Sequence, residues 1–230
     1  SHVYKQSKFR KVLDTLLLHI KLRSYSTIVG AIAPTNWIKR QALDSGVFRA
    51  EQVKTLLNPL ELNFWEPQQA DPSADQLITK FCLVAHGGVS QKLKGYFLLE
   101  AVLSELRVKI QSEGLAISEP EFLIAGGKTS TECISGFKVK FVGYLNDNEL
   151  RRLYSKSTFS IVPSLIENQS QVVPESMLCE TPVISFFDTG PAEMIEHGAS
   201  GLLAEYGSAN GIANLILQVC KGEIDTYKMS

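Results

Sequence analysis

Two glutamates stand eight positions apart in a segment that joins an apolar run to a helical pattern. Glu167 lies in the connection, and Glu175 lies early in the helix. Carboxylates accept hydrogen bonds from hydroxyl groups and stabilise developing positive charge, and each charge-assisted bond contributes about 1.5–3 kcal/mol. Two glutamates at this spacing also arise by chance, so the pair indicates a binding site only because of its strand–loop–helix context.

Pro174 indicates where this helix begins. Proline lacks an N–H group and is tolerated in the first turn of a helix, which places the start near Ser170 or Gln171. The N–H groups at such a start have no partner within the helix and favour an anion. We therefore expect them to face an anionic ligand such as a diphosphate.

Apolar strands alternate with amphipathic helices from residue 79 onward. The pattern predicts strands at 81–85, 122–125, 139–143, 159–162, 183–186 and 202–204, and helices near 95–113, 147–157, 171–179, 191–197 and 210–220. This alternation predicts a parallel sheet with helices on both faces. Such sheets bind ligands at the carboxyl ends of their strands, which directs attention to loops 86–95, 126–136, 143–147, 163–171 and 187–191.

The first 78 residues follow a different pattern. A basic helix near 5–22 precedes an apolar strand at 28–33 and a helix that opens after Pro34. One strand and two helices do not bury a core alone, so we expect them to belong to a preceding domain. We assign residues 3–75 to the end of that domain and a linker, and residues 76–230 to the second domain.

Several short motifs accompany the paired glutamates. They are Lys94-Gly95, Pro163-Ser164, Thr181-Pro182-Val183, Gly190-Pro191-Ala192-Glu193 and Gly201-Leu202-Leu203. Together they resemble the C-terminal domain of the retaining glycosyltransferases of family 4, the glycosyl transferases group 1, which have the GT-B fold. The resemblance implies an α/β, Rossmann-like, doubly wound parallel sheet with a remnant of the N-terminal domain.

The resemblance also implies roles for three charged residues. Glu175 matches the glutamate that binds the ribose hydroxyls of a nucleotide donor, and Glu167 matches the one near the transferred sugar. Lys94 matches the basic residue that meets the diphosphate. We therefore predict Glu167 and Lys94 as catalytic residues.

The predicted donor-binding set is longer. It comprises Gly87, Gly88, Lys92, Tyr144, Leu145, Asn168, Gln169, Ser170, Gln171, Val172 and Glu175. The sequence departs from the family twice: Asn168-Gln169-Ser170 replaces a frequent Gly-Phe-Gly, and a phosphate-binding arginine is missing. Lys92 is the candidate substitute for that arginine, although a lysine lacks the bidentate fork of a guanidinium.

The function that the resemblance implies is transfer of a sugar from a nucleotide-diphosphate donor to an acceptor, with retention. We expect a role in bacterial surface polysaccharide synthesis, as in lipopolysaccharide or capsule, with an acceptor glycan or lipid-linked saccharide as partner. Two alternatives remain, a sugar-nucleotide epimerase of the same fold and a non-catalytic nucleotide-sugar-binding module. The chain by itself is expected to bind nucleotide weakly and to need the N-terminal domain for turnover.

The composition of the chain limits which other partners and which cellular compartment we expect. The net charge of −1 does not favour nucleic acid, and no D-x-D motif suggests a metal, so we expect neither a metal nor another cofactor. Four cysteines without a C-x-x-C motif suggest a reducing compartment, and we predict a cytoplasmic protein. The basic residues of the first helix form either a solvated face or a weak contact with the inner face of the cytoplasmic membrane.

Overall fold

The computed structural model describes residues 8–25, 27–68, 78–85, 92–224 and 229. The chain divides into two compact units, residues 1–57 and residues 58–230. The domain boundary predicted between residues 75 and 76 falls outside the described residues, and the preceding segment 58–68 belongs to the second unit. The assignment of the two domains stays a prediction.

The described residues of the first unit form two α-helices and two short strands, besides a 3₁₀ turn at Ala50–Gln52. They are α1 (Lys8–Tyr25), β1 (Ala31–Ala33), α2 (Asn36–Asp44) and β2 (Val53–Thr55). The two strands are parallel, and the Thr35 hydroxyl caps α2 by accepting from the Ile38 N–H at 3.3 Å. Strand β2 was not predicted because its three residues include an exposed lysine. Within the described residues, no helix has the length and apolar composition needed to cross a bilayer.

The second unit is built on a seven-stranded sheet. Its strands are β3 (Lys80–Val84), β4 (Glu121–Ala125), β5 (Thr129–Ile134), β6 (Phe137–Gly143), β7 (Phe159–Ile161), β8 (Val183–Phe186) and β9 (Gly201–Ala204). Their order across the sheet is β5-β6-β4-β3-β7-β8-β9, and every neighbouring pair except β5–β6 is parallel. All six predicted strands of this unit are confirmed.

Strand β5 corrects the prediction of a loop over residues 126–136. It runs antiparallel to β6 along the edge of the sheet. A tight turn joins the two strands because Ser135 and Gly136 both adopt positive φ, 50° and 83°, as hairpin turns require. The sequence gives little strand signal here because an edge strand with exposed polar side chains lacks the apolar pattern of a buried one.

In the part of this unit that the structure describes, four α-helices flank the sheet: α3 (Leu98–Ser112), α4 (Asp147–Ser155), α5 (Val172–Leu178) and α6 (Ala209–Cys220). Helices α3 and α6 pack in one apolar cluster with Phe81, while α4 and α5 pack on the other face with Cys82. The doubly wound arrangement is thus confirmed. The helix predicted near 191–197 is instead a single 3₁₀ turn at Pro191–Met194, which ends as Ile195 adopts an extended conformation.

The order of the parallel strands reverses at the centre of the sheet. The chain starts at β3, moves outward through β4 and β6, and then returns to place β7 on the other side of β3. Connections leave β3 and β7 in opposite directions at their carboxyl ends, which opens a crevice between the two loops. We therefore expect a ligand site in this crevice, beside Val84 and Ile161.

Candidate active site

A cleft of about 230 Å³ lies at this reversal of strand order. Its floor is formed by the carboxyl ends of β3 and β7. The lining residues from the flanking loops are Lys94, Tyr96, Pro163, Ser164, Glu167, Gln169, Ser170, Gln171 and Val172. Six residues of the predicted site, Lys94, Glu167, Gln169, Ser170, Gln171 and Val172, thus line one cleft.

Lys94 and Glu167 form an ion pair within the cleft, and the Lys94 ammonium donates to Glu167 Oε2. The lysine side chain is 31% exposed and the glutamate side chain 14% exposed. Each charge therefore offsets part of the cost of removing the other from water. The two predicted catalytic residues lie within contact distance of each other.

Two glycines allow the loops that carry this pair to approach each other. Gly95 has φ +70°, and a Cβ at this position would overlap the carbonyl oxygen of Pro163. Next to this contact, the Leu165 N–H donates to the Leu93 carbonyl at 2.9 Å. A Cβ on Gly190 would overlap the Asn168 carbonyl oxygen. The Glu167 loop is therefore held between two close backbone contacts, which only glycine permits.

The segment after Glu167 presents polar groups to the cleft. Gln169 is buried, and its Oε1 accepts a hydrogen bond of 2.7 Å from the Asn58 N–H. The accepting oxygen is thereby assigned, and the amide nitrogen remains as the donor end of the side chain. Gln171 Oε1 is buried and has no hydrogen-bond partner among the described residues. A buried acceptor of this kind suits a ligand hydroxyl.

Helix α5 begins where Pro174 indicated. Gln171 is its N-cap residue and Val172 its first residue, so the predicted start is confirmed. A buried chain of hydroxyl groups holds the helix: Ser176 Oγ lies 2.6 Å from Ser160 Oγ on β7 and donates to the Thr181 carbonyl at 2.7 Å. The helix is thereby tied to the sheet directly behind the cleft.

Glu175 lies one turn after the cleft residues of this helix and is 8% exposed. The Tyr154 hydroxyl donates to its Oε2 at 3.0 Å. Burial raises the pKa of Glu175, the hydrogen bond from Tyr154 acts in the opposite direction, and the charge of Asp147 adds to the rise. A buried carboxylate with a raised pKa beside a cleft is typical of a binding or catalytic site.

A smaller pocket adjoins the cleft. Tyr144 and Leu145 line it together with Ala125, Gly126 and Leu150. Val84 and Ala85 line both the cleft and this pocket, so the two are adjacent, and the pocket has a volume of about 20 Å³. Gly126 also lines the pocket, and its N–H donates to the Gly143 carbonyl at 2.6 Å.

Five members of the predicted donor-binding set are not among the described residues that line the cleft or the smaller pocket, and Glu175, buried one turn further along α5, is one of them. Gly87 and Gly88 lie outside the described residues, and Lys92 belongs to a 3₁₀ turn at Lys92–Lys94 whose first side chain is not described. Asn168 is exposed and contributes its carbonyl to the Gly190 contact. Among the described residues, no group of three or more histidine, cysteine or acidic side chains is arranged to hold a metal ion. The metal-free chemistry stays a prediction.

Sequence reasoning missed three lining residues of the flanking loops and one buried partner. Tyr96 directly follows the marked loop 86–95, and Pro163 and Ser164 lie within the marked loop 163–171. That rule could have found them. Tyr154 is different, because it lies on the apolar face of α4 with Leu150 and Leu153 and has the sequence signature of a core residue.

The doubly wound sheet with a cleft at the reversal defines the class: this is the fold of the GT-B glycosyltransferases. HepE of Anabaena, in complex with UDP and glucose, is 18% identical with a TM-score of 0.71, and the superposition covers 93% of this chain and 60% of HepE. Sucrose-phosphate synthase of Thermosynechococcus elongatus is 22% identical with a TM-score of 0.70, covering 100% of this chain and 56% of the synthase.

The particular family follows from the sequence comparison. The chain belongs to the glycosyl transferases group 1, whose family model matches residues 80–221, more than half of its length. The amylovoran biosynthesis glycosyltransferase AmsK of Erwinia amylovora is 33% identical over 93 residues, 38% of this chain and 23% of AmsK. N-acetyl-alpha-D-glucosaminyl L-malate synthase of Bacillus anthracis is 31% identical over 86 residues, 37% of this chain and 22% of the synthase. The expected family is confirmed, while these matches span about a quarter of either relative.

Proposed function

We propose that this chain forms the donor-binding part of a retaining glycosyltransferase that transfers a sugar from a nucleoside diphosphate to an acceptor. The observation that carries the proposal is the cleft at the reversal of strand order. It brings Lys94 and Glu167 together and adjoins the pocket of Tyr144 and Leu145, and Glu175 is buried one turn further along α5 than the cleft residue Val172. Membership in the glycosyl transferases group 1 supports the same reading.

The cleft and the surface beside it correspond to the parts of a nucleotide-sugar. We place the base over the surface of Tyr144 and Leu145, because the pocket there, at about 20 Å³, is too small to enclose it. The ribose hydroxyls then approach Glu175, since helical side chains lean toward the start of their helix. The diphosphate and the sugar then occupy the larger cleft with Lys94, Glu167 and Gln171. In this arrangement, the base and the transferred sugar lie on opposite sides of Glu175.

Charge is the main contribution of Lys94. A cation about 4 Å from a phosphate gains roughly 4 kcal/mol at an effective dielectric of 20, before the cost of desolvation. The gain increases as negative charge develops on the leaving diphosphate, so it favours the transition state over the bound substrate. Glu167 stabilises positive charge that develops on the sugar or binds its hydroxyls. This division of roles needs no metal ion.

Further parts of the proposal rest on a similar protein and on the composition of this chain. AmsK is an amylovoran biosynthesis glycosyltransferase, which supports a role in bacterial surface polysaccharide synthesis, with a glycan or lipid-linked saccharide as acceptor. The four cysteines without a C-x-x-C motif are the reason that we also propose a cytoplasmic location. The six basic residues in residues 1–23 would supply weak peripheral contact with the inner membrane surface.

Calorimetric titration of the full chain with UDP, GDP and ADP tests donor binding. We expect saturable binding of at least one diphosphate and a loss of roughly tenfold or more in affinity with Glu175→Ala. The matched control, Glu105→Ala, changes an exposed glutamate on α3 and should leave the affinity unchanged. If wild type binds none of the three diphosphates, or if Glu175→Ala binds them as tightly as wild type does, the proposed donor site is wrong.

The two alternatives differ in what the protein does to a bound sugar. An epimerase changes the sugar of a nucleotide-sugar without an acceptor, whereas a transferase needs one, and retention appears as an unchanged anomeric configuration in the product by NMR. A binding module gives neither product. Incubation of the protein together with its N-terminal domain, with and without acceptor, therefore separates the three functions.

A further inference from the structure

A fully buried tyrosine lies behind the candidate ribose-binding glutamate. Tyr154 is 0% exposed, and its hydroxyl donates to Glu175 Oε2 at 3.0 Å. A buried phenol needs a hydrogen-bond partner, and a neutral acceptor would have been less costly to bury than a carboxylate. The hydrogen bond to Glu175 therefore links a core residue to helix α5, which begins at the cleft.

Tyr154 is held in place independently of any ligand. Its carbonyl accepts from Thr181 Oγ1 at 2.7 Å, and its ring packs against Trp65 with centroids 6.0 Å apart. The start of its helix is fixed by a capping box, in which Asn146 accepts from the Glu149 N–H and Glu149 accepts from the Asn146 N–H. The hydroxyl is thus presented from a rigid element.

The same helix connects Tyr154 to the smaller pocket. Tyr144 and Leu145 precede α4 directly, and Leu150 lines the pocket four positions before Tyr154, which puts both on one helical face. The element that borders the pocket therefore also sets the position of the Glu175 carboxylate. Distances between the base and ribose of one nucleotide are fixed, so this coupling suits a nucleoside.

We propose that Tyr154 is a positioning residue that orients the Glu175 carboxylate for the ribose hydroxyls of the donor nucleotide. The inference rests on the proposed function. By donating to Oε2, the hydroxyl leaves the other carboxylate oxygen to accept from the ligand. Burial foremost, and then the charge of Glu175, raise the pKa of Tyr154 well above its usual range, so Tyr154 stays protonated and acts as a donor.

The test compares Tyr154→Phe with wild type against two ligands. One is the diphosphate that wild type binds most tightly among UDP, GDP and ADP, and the other is its 2′,3′-dideoxy form, which lacks both ribose hydroxyls. We expect the variant to bind the ribonucleotide roughly tenfold more weakly and the dideoxy form within about twofold of wild type. Equal weakening of both ligands, or no weakening of the ribonucleotide, overturns the inference.

Two further variants separate positioning from folding. Tyr206→Phe removes a hydroxyl that donates to the Leu165 carbonyl at 2.9 Å, and it should leave the discrimination between the two ligands unchanged. In a Glu175→Ala background, Tyr154→Phe should have no further effect on that discrimination, because Tyr154 acts through the Glu175 side chain, which is then absent. If Tyr154→Phe alone unfolds, the double variant should fold; its failure to fold would mark Tyr154 as purely structural and overturn the inference.

Absence of nucleotide binding by wild type has a different meaning. It overturns the proposed function, and this inference with it. If wild type binds the ribonucleotide more tightly than the dideoxy form, but Tyr154→Phe weakens both ligands equally, the inference about Tyr154 is overturned and the proposed function is not.

Discussion

The Lys94 ammonium donates a hydrogen bond to Glu167 Oε2 across the cleft, although 73 positions separate the two residues. Both charges are partly buried, so neither is fully solvated and each partly compensates the other. A diphosphate that enters the cleft competes with Glu167 for the same ammonium. Substitution of Lys94 and substitution of Glu167 should therefore affect diphosphate binding in opposite directions.

Lys94→Met should weaken the binding of a nucleoside diphosphate by roughly 10–100-fold, because a charge-assisted bond contributes about 1.5–3 kcal/mol. Glu167→Gln should leave this binding within about twofold or tighten it, because it frees the ammonium. Calorimetric titration measures both. Lys156→Met, which removes an exposed lysine at the end of α4, is the control and should have no effect. Equal weakening by both variants would show that Lys94 does not meet the diphosphate.

Gly95→Ala should destabilise the protein more than Gly114→Ala. Both glycines have positive φ, +70° and +61°, which costs an L-residue roughly 1–2 kcal/mol. Only Gly95 faces a backbone carbonyl, whereas a Cβ at Gly114 meets no atom within 4 Å. Overpacking adds about 1–3 kcal/mol at Gly95. Thermal unfolding of the two variants compares them directly, and equal shifts in Tm would contradict the close contact with Pro163.

Glu175→Gln should raise Tm at neutral pH. Burial raises the pKa of Glu175 above 4.5, so folding favours its protonated form, and stability is lost as pH rises through the raised pKa. Glutamine removes this buried charge and can still accept from Tyr154. The gain should therefore shrink as pH falls toward 4.5, where the wild-type carboxyl is protonated as well. Melting curves between pH 4.5 and 8 measure the effect.

Glu121 supplies the control with the opposite sign. Its burial favours a raised pKa, but the hydrogen bond and charge of Lys140 and then of Lys138 outweigh burial, so the pKa lies below 4.5. Its stabilising effect is present above 4.5 and is lost as pH falls through the lowered pKa. Glu121→Gln should lower Tm at neutral pH. A lower Tm for both variants would mean that Glu175 is stabilised by interactions stronger than its burial.

Gln169→Leu should accelerate hydrogen exchange at the Asn58 amide. The side-chain oxygen of Gln169 is the acceptor for that N–H at 2.7 Å, and a bond of this kind contributes roughly 1 kcal/mol, or about fivefold in exchange rate. NMR exchange resolves this single amide. Gln218→Leu on the exposed side of α6 is the control. An unchanged rate in Gln169→Leu would show that the bond does not protect Asn58.

Much of the fold follows from local sequence patterns. Apolar runs bounded by glycine or proline predicted every parallel strand of the sheet, and Pro174 located the start of α5 because its ring restricts the backbone locally. The exposed strand β5 and the 3₁₀ turn at Pro191–Met194 were not predicted, because edge pairing and a single short turn depend on neighbours distant in the chain.

By itself the sequence determined which residues are available for chemistry and which ends of the strands present them. Only the tertiary structure decided that Lys94 contacts Glu167 and that Tyr154, a core residue by its pattern, donates to Glu175. The reason is physical: periodicity records which face of an element is buried, but a contact between two side chains also depends on the order of the strands and on backbone contacts such as Gly95 on Pro163.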